Sequence, residues 1–357
     1  MTGTSFLDSN RIWFTIVLLH IAGSILVSLL GIIPFSGMIA ATVVWFLIAD
    51  IPAKNPQRIG ICLAGWGVTG FVMYSLDISF QGTVLLNLIL LLYVCWICKK
   101  AYVNTIEYCC IKKVSLRSIV LIFVAAIFLF IMAGYVNACS MLVFQNLLDT
   151  SLQGIIDKPI QAFVTVAIMP AVIEEILFRG LIYRGISNKR TAGIISAVLF
   201  ALLHMNFNQI CYAFIMGLAF SFVIYVTDNL TVSILLHMLF NTFTVIICCF
   251  SKNNVIQAIL DSNIAGYRLF NPALTNAQGN VALTLIVIGG IIAILSALIA
   301  GYMMLLIRKN ETKKETEVKI SGIDTETFGD KSWKPNLQFF AGSIICLLVA
   351  VLYEILL

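Results

Sequence analysis

Charge is what this chain lacks: Asp, Glu, Lys and Arg make up 11% of its 357 residues, against roughly 25% in an ordinary soluble domain. With 61% hydrophobic residues and a mean hydropathy of +1.02, that scarcity excludes a soluble globular enzyme and describes an integral, multi-pass membrane protein. No Gly-rich phosphate loop or dinucleotide fingerprint occurs, which excludes an ATP-driven transporter on this chain alone and leaves no nucleotide among the expected partners. No internal repeat is visible either. The net charge of +5 comes from basic residues gathered in a few connections, so nucleic acid is not an expected partner. The apolar stretch after Arg11 is too long for a signal-peptide h-region and lacks an Ala-x-Ala-like exit, so it reads as an uncleaved first helix.

What is present in quantity is the long apolar run. A helix needs about 20 mostly apolar residues to cross the hydrocarbon core. Eleven candidates run approximately 12–33, 37–52, 59–76, 83–98, 119–143, 160–183, 191–204, 209–226, 231–250, 281–307 and 338–357. The expected fold is an all-α polytopic transmembrane helix bundle. Segments 37–52, 59–76 and 191–204 are short or interrupted, and they tilt, re-enter or sit inside the bundle. Placing the N-terminus in the cytoplasm puts 17 of the 22 Lys and Arg in cytoplasmic connections, near 54–58, 99–117, 184–190 and 308–334, as the positive-inside rule requires. The polar stretch 308–336 reads as a cytoplasmic linker before the last helix. The chain divides into accessory N-terminal helices (1–159), a core (160–250) and C-terminal helices (251–357).

Most of the ten cysteines fall in apolar runs and read as small core hydrophobes. Cys95 and Cys98 with Cys109 and Cys110 form a weaker candidate for a four-thiolate site, with the wrong second spacing. The polar residues inside the spans carry more meaning. Glu174, Glu175 and Arg179 stand in one apolar run, and ionisable groups at that depth mark function by default. Glu175 and Arg179 are four apart on one helical face and suit an ion pair; Glu174 points about 100° away and is left out of it. His204 closes Phe200-Ala-Leu-Leu-His204, and His237 with Asn241 shares a face of the ninth run. His20, alone in the first run, reads as a hydrogen-bonded core residue.

A buried glutamate beside a neutral imidazole takes a proton from water, while a second imidazole and a carboxamide donate to the oxyanion of a tetrahedral intermediate. No Ser or Cys obviously pairs with these histidines, so the set points to activated water. Glu174, His204 and His237 would also suit Zn²⁺ with one open position, although the His-Glu-x-x-His helix is absent. A metal-free mechanism is equally compatible. Two other readings use the same residues: a non-catalytic immunity or scaffold protein, and a proton-coupled transporter, the latter lacking the inverted repeat it needs.

Glu174-Glu175-Ile-Leu-Phe-Arg179, Phe200-Ala-Leu-Leu-His204 and His237-Met-Leu-Phe-Asn241 resemble, in order and spacing, the EExxxR, FxxxH and HxxxN motifs of the CAAX prenyl protease and bacteriocin-processing (CPBP, Abi) family of intramembrane proteases. The resemblance covers approximately 160–250. It implies that Glu174 and His204 activate water, that His237 and Asn241 form the oxyanion site, and that Arg179 orients the acidic pair through Glu175. It further implies a membrane-tethered or hydrophobic peptide as substrate, membrane lipids as surroundings and the plasma membrane of a bacterium as location. The peptide is expected to enter laterally, with its scissile bond in the cytoplasmic half.

Overall fold

The computed structural model describes residues 8–30, 78–144, 158–250, 280–318 and 333–356, and every regular element among them is a helix. The runs at 37–52 and 59–76 and linker residues 319–332 lie outside the described residues. We number the helices α1 (Ser9–Leu30), α2 (Ile78–Lys100), α3 (Thr105–Tyr108), α4 (Leu116–Ser140), α5 (Pro159–Gly185), α6 (Lys189–Leu202), α7 (Phe207–Thr227), α8 (Leu230–Phe250), α9 (Asn280–Val318) and α10 (Leu337–Leu356). The chain forms two compact units, Thr15–Trp96 and Met1–Phe14 with Ile97–Leu357. In the smaller unit the described parts of α1 and α2 are apolar helices, and Tyr93 stacks on Trp96 with ring centroids 6.3 Å apart. The motif residues all belong to the larger unit.

Helix ends follow local chemistry. Ser115, Asn188 and Asn206 cap α4, α6 and α7 by accepting hydrogen bonds from first-turn backbone N–H groups. Asp228 ends α7 in the left-handed region at φ 46°, a conformation in which Asp is tolerated better than most residues. Helices α4, α5, α7, α8, α9 and α10 are each long and apolar enough to cross a membrane. The outward side of α9 carries Ile288, Ile291, Leu295 and Leu298, 46–65% exposed, as a lipid-facing surface would.

The run at 191–204 behaves differently from a spanning helix. α6 has 14 residues, or ~21 Å at ~1.5 Å per residue, short of the ~30 Å core. The residues that follow it are packed inside the bundle: Leu203, Met205 and Asn206 are all buried. The chain therefore dips into the bundle on α6 and returns along the whole of α7. Gly217 allows this hairpin to close, since a Cβ there would lie 2.9 Å from Ala197 Cα and 3.1 Å from its Cβ. Small residues at such crossings are the usual device for close helix approach in membranes. Gly217→Val is expected to cost roughly 1–3 kcal/mol through overpacking, read as a lower melting temperature in detergent; an unchanged melt would show that the helices separate freely.

Several contacts gather the basic connections at one end of the larger unit. Arg184 Nη2 donates to Asp228 Oδ1 at 2.9 Å, and Lys112 Nζ lies 3.6 Å from Asp228 Oδ2. Glu311 Oε1 accepts from the Ser115 and Ser118 hydroxyls at 2.9 and 2.6 Å, tying the end of α9 to the start of α4. Ser9 Oγ donates to the Ile182 carbonyl at 3.0 Å, and Asn10 Nδ2 to that of Lys334 at 3.1 Å. The connections 99–117 and 184–190 and the two described ends of 308–334 thus share this end. Cys109 is buried here against Gly180, and burial pushes its thiol up to about 12. Among the described residues no three His, Cys, Asp or Glu side chains come together as metal ligands.

Candidate active site

Glu174 and Glu175 sit at the end of an α-helical stretch, Met169–Glu175, bounded by wider π turns at Phe163–Ile168 and Ile176–Ile182. Such turns are rare and concentrate at functional sites. The two carboxylates have opposite fates. Glu175 is fully buried, whereas the Glu174 side chain is 24% exposed and faces a cavity.

Glu175 accepts three hydrogen bonds. Arg179 Nη1 donates to Oε1 at 2.9 Å, Ser233 Oγ to Oε2 at 2.7 Å, and His237 Nδ1 to Oε1 at 3.0 Å. Arg179, also fully buried, donates from Nη2 to the Gly217 carbonyl at 2.9 Å and lies 4.5 and 5.3 Å from the ring centroids of Phe200 and Phe220. A bare carboxylate or guanidinium at this depth would be costly; here each neutralises the other, and hydrogen bonds and ring faces surround the pair, with Arg179 Nε buried without an acceptor among the described residues.

His237 is held on three sides. Its Nδ1–H is committed to Glu175, Phe220 stacks on it at 4.6 Å and 22°, and Phe200 meets it edge-on at 5.7 Å. Nε2 is then the nitrogen on the Glu174 side, 3.9 Å from Oε2. That gap is too long for a direct hydrogen bond and suits a bridging water. His204 donates from Nδ1 to the Phe200 carbonyl at 2.9 Å; a carbonyl only accepts, so the tautomer is set and Nε2 is the nitrogen left for chemistry. Asn241 donates from Nδ2 to the Val166 carbonyl at 2.9 Å. Pro170, four residues on, has no N–H to offer that carbonyl.

Glu174, His204, His237 and Asn241 line one cavity of about 320 Å³, whose wall is otherwise mostly apolar. Glu175 and Arg179 stand behind His237 and do not line it. Arg179 and His237 thus meet on the same Glu175 oxygen, Oε1. Phe130, Ala133 and Asn137 of α4 form one wall, so a helix from the accessory region 1–159 completes the cavity.

Sequence reasoning missed Ser233, Phe220, Gly217 and Pro170. Ser233 had a visible signal, since it precedes His237 by four and Asn241 by eight on one helical face. Phe220 had none, being one Phe among 24. Loss of the Ser233 hydroxyl removes one of three donors to a buried carboxylate, and hydrogen bonds to charged groups contribute roughly 1.5–3 kcal/mol. Ser233→Ala is expected to lower the melting temperature and Ser233→Thr to restore it; a melt indifferent to both would make the contact incidental.

Comparison with known proteins converges on the same segment. Residues 157–243 match the family model described as type II CAAX prenyl endopeptidase Rce1-like. The protein named "Putative membrane peptidase YdiL" of Bacillus subtilis (strain 168) is 34% identical over 83 residues, which is 22% of this chain and 34% of that protein. The aligned stretch thus spans about a third of that relative's length. No solved structure matches the chain. The α4 wall of the cavity lies outside the residues that the family model matches.

Proposed function

We propose that this chain, whose residues 157–243 match the Rce1-like type II CAAX prenyl endopeptidase model, is an intramembrane endopeptidase that hydrolyses a peptide bond of a membrane-tethered or hydrophobic polypeptide. The observation that carries the reading is the convergence of Glu174, His204, His237 and Asn241 on one cavity, with the Glu175–Arg179 pair buried behind.

Glu174, the one carboxylate of the pair that meets the cavity, takes a proton from water held between it and an imidazole, and the resulting hydroxide attacks the scissile carbonyl carbon. The carbonyl oxygen becomes an oxyanion. When Nε2 of His237 is protonated, that proton points into the cavity and stabilises the oxyanion, with the second amide hydrogen of Asn241 beside it. The Glu174 carboxylic acid then returns its proton to the leaving amine nitrogen as the C–N bond breaks, so protons balance within the cycle. His204 Nε2 shares the water. Glu175, Arg179, Ser233 and Phe220 hold His237 in place, and their role is positional. The apolar remainder of the wall favours a substrate with apolar side chains around the cut.

Zn²⁺ would draw on Glu174, His204 and His237. These three line one cavity, but among the described residues no such trio converges at ligand spacing, and no step above passes through a metal. The test is cleavage of a mixed set of prenylated and unprenylated membrane peptides by the purified protein in liposomes. Activity kept with a chelator supports glutamate-activated water; activity lost with chelator and restored by Zn²⁺ overturns the metal-free step. Absence of cleavage over the whole set, with native membrane polypeptides included, favours the non-catalytic scaffold.

A further inference from the structure

The cavity has a direction. Measured from the end that gathers Lys112, Arg184 and Glu311, at ~1.5 Å per residue, His237 lies ~10 Å in along α8 and Glu174 ~16 Å in along α5. Beyond them the lining continues outward through Thr244 and Cys248 on α8, Gln209 and Tyr212 on α7, Thr165 on α5 and Asn137 on α4, with Cys248 and Gln209 ~27 Å and Asn137 ~31 Å from that end. On the other side of His237 the helices are packed shut: Phe178, Leu181, Val223, Leu230, Ser233 and Leu236 have no exposed surface, and none of them lines the cavity.

The groups that would meet the scissile bond thus lie ~10–16 Å from the basic end of a ~30 Å core, and the cavity extends from them away from that end. In its outer part Asn137, Gln209 and Thr244, which carry hydrogen-bonding groups suited to an extended peptide backbone, stand among Ala133, Val166 and Ile247. The floor by contrast is aromatic, made by Phe200 and Phe220 around His237.

We infer that this site receives its peptide from the membrane face opposite the basic connections, which by the positive-inside rule is the extracytoplasmic face. The substrate class is then a membrane-tethered polypeptide whose cleavable bond is presented on the outer side of the bilayer, not a cytoplasmic prenylated tail. This rests on the peptidase reading for the word substrate, but the access route is a property of the cavity and is measured without catalysis.

The test is thiol labelling of the full chain in intact cells and in inverted vesicles with a membrane-impermeant maleimide, mapped site by site by mass spectrometry. Reporters are Cys248, Gln209→Cys and Thr244→Cys in the outer part of the cavity, and Lys309→Cys at the basic end. The expected result is that cavity reporters label in intact cells and not in inverted vesicles, with Lys309→Cys showing the reverse. Cavity labelling from the same side as Lys309→Cys overturns the inference. So does labelling only by a permeant reagent, which means lateral entry from lipid, and so does the reversed pattern with Lys309→Cys labelled outside. Two cavity substitutions and a native thiol keep the result independent of any one variant's folding. A protein that labels as expected but cleaves nothing refutes the peptidase reading alone; one that cleaves but labels from the basic side refutes the access route alone.

Discussion

Glu174→Gln is expected to reduce peptide cleavage by about 10²–10⁴-fold, the range for losing a positioned general base, while leaving the melting temperature within a degree or so of wild type. The two halves of this expectation come from one structural fact. Glu174 is the partly exposed carboxylate of the pair, facing the cavity, with His237 Nε2 3.9 Å away. The amide keeps the volume and removes only the ability to take a proton, so little packing or ion pairing is lost with it. Initial rates on a cleavable peptide, paired with a detergent melt on the same preparation, decide the matter. A variant as active as wild type would sink the water-activation role, and a variant that has lost its fold would mean that Glu174 is structural.

Arg179→Ala is expected to show the converse pattern, a loss of stability of about 3–5 kcal/mol, because removing one partner leaves the other charge buried without compensation. Glu175 has no exposed surface, and its carboxylate would retain only Ser233 and His237. The cavity wall would also loosen, since the guanidinium ties α5 to the Gly217 carbonyl of α7 and packs on Phe200 and Phe220. Combining Arg179→Ala with Glu175→Gln removes both charges, so the double variant is expected to be more stable than the sum of the single losses predicts. The measurement is a double-mutant cycle of melting free energies. Additive losses would mean that the pair is not coupled, and the buried network would then need another explanation.

Much of this site is legible in the order and spacing of its residues. The Glu175–Arg179 pair rests on a spacing of four within one helix, and the division of labour between Glu174 and Glu175 follows from the 100° turn between neighbours. His204 and His237 stand out because an imidazole in an apolar run needs a reason. The 191–204 run shows where such reading stops: hydropathy suits it to a membrane, but whether a helix crosses or turns back inside depends on what buries its end, here the closed turn at Leu203–Asn206.

By itself the sequence determined the solvent, the all-helical class, the gathering of basic residues into a few connections, and the identity of the residues able to do acid–base chemistry. These are local or compositional properties, set by apolar run length, by charge and by helical period. Only the tertiary structure decided that Glu175 serves His237, 62 residues away, that Asn241 hangs from the carbonyl of Val166 and Arg179 from that of Gly217, and that the cavity extends away from the basic end. Every residue carries a carbonyl, so nothing in a side-chain pattern marks which one will be used. That choice is made by the packing of helices distant in sequence, through a proline that withholds an N–H and a glycine that lets two backbones meet.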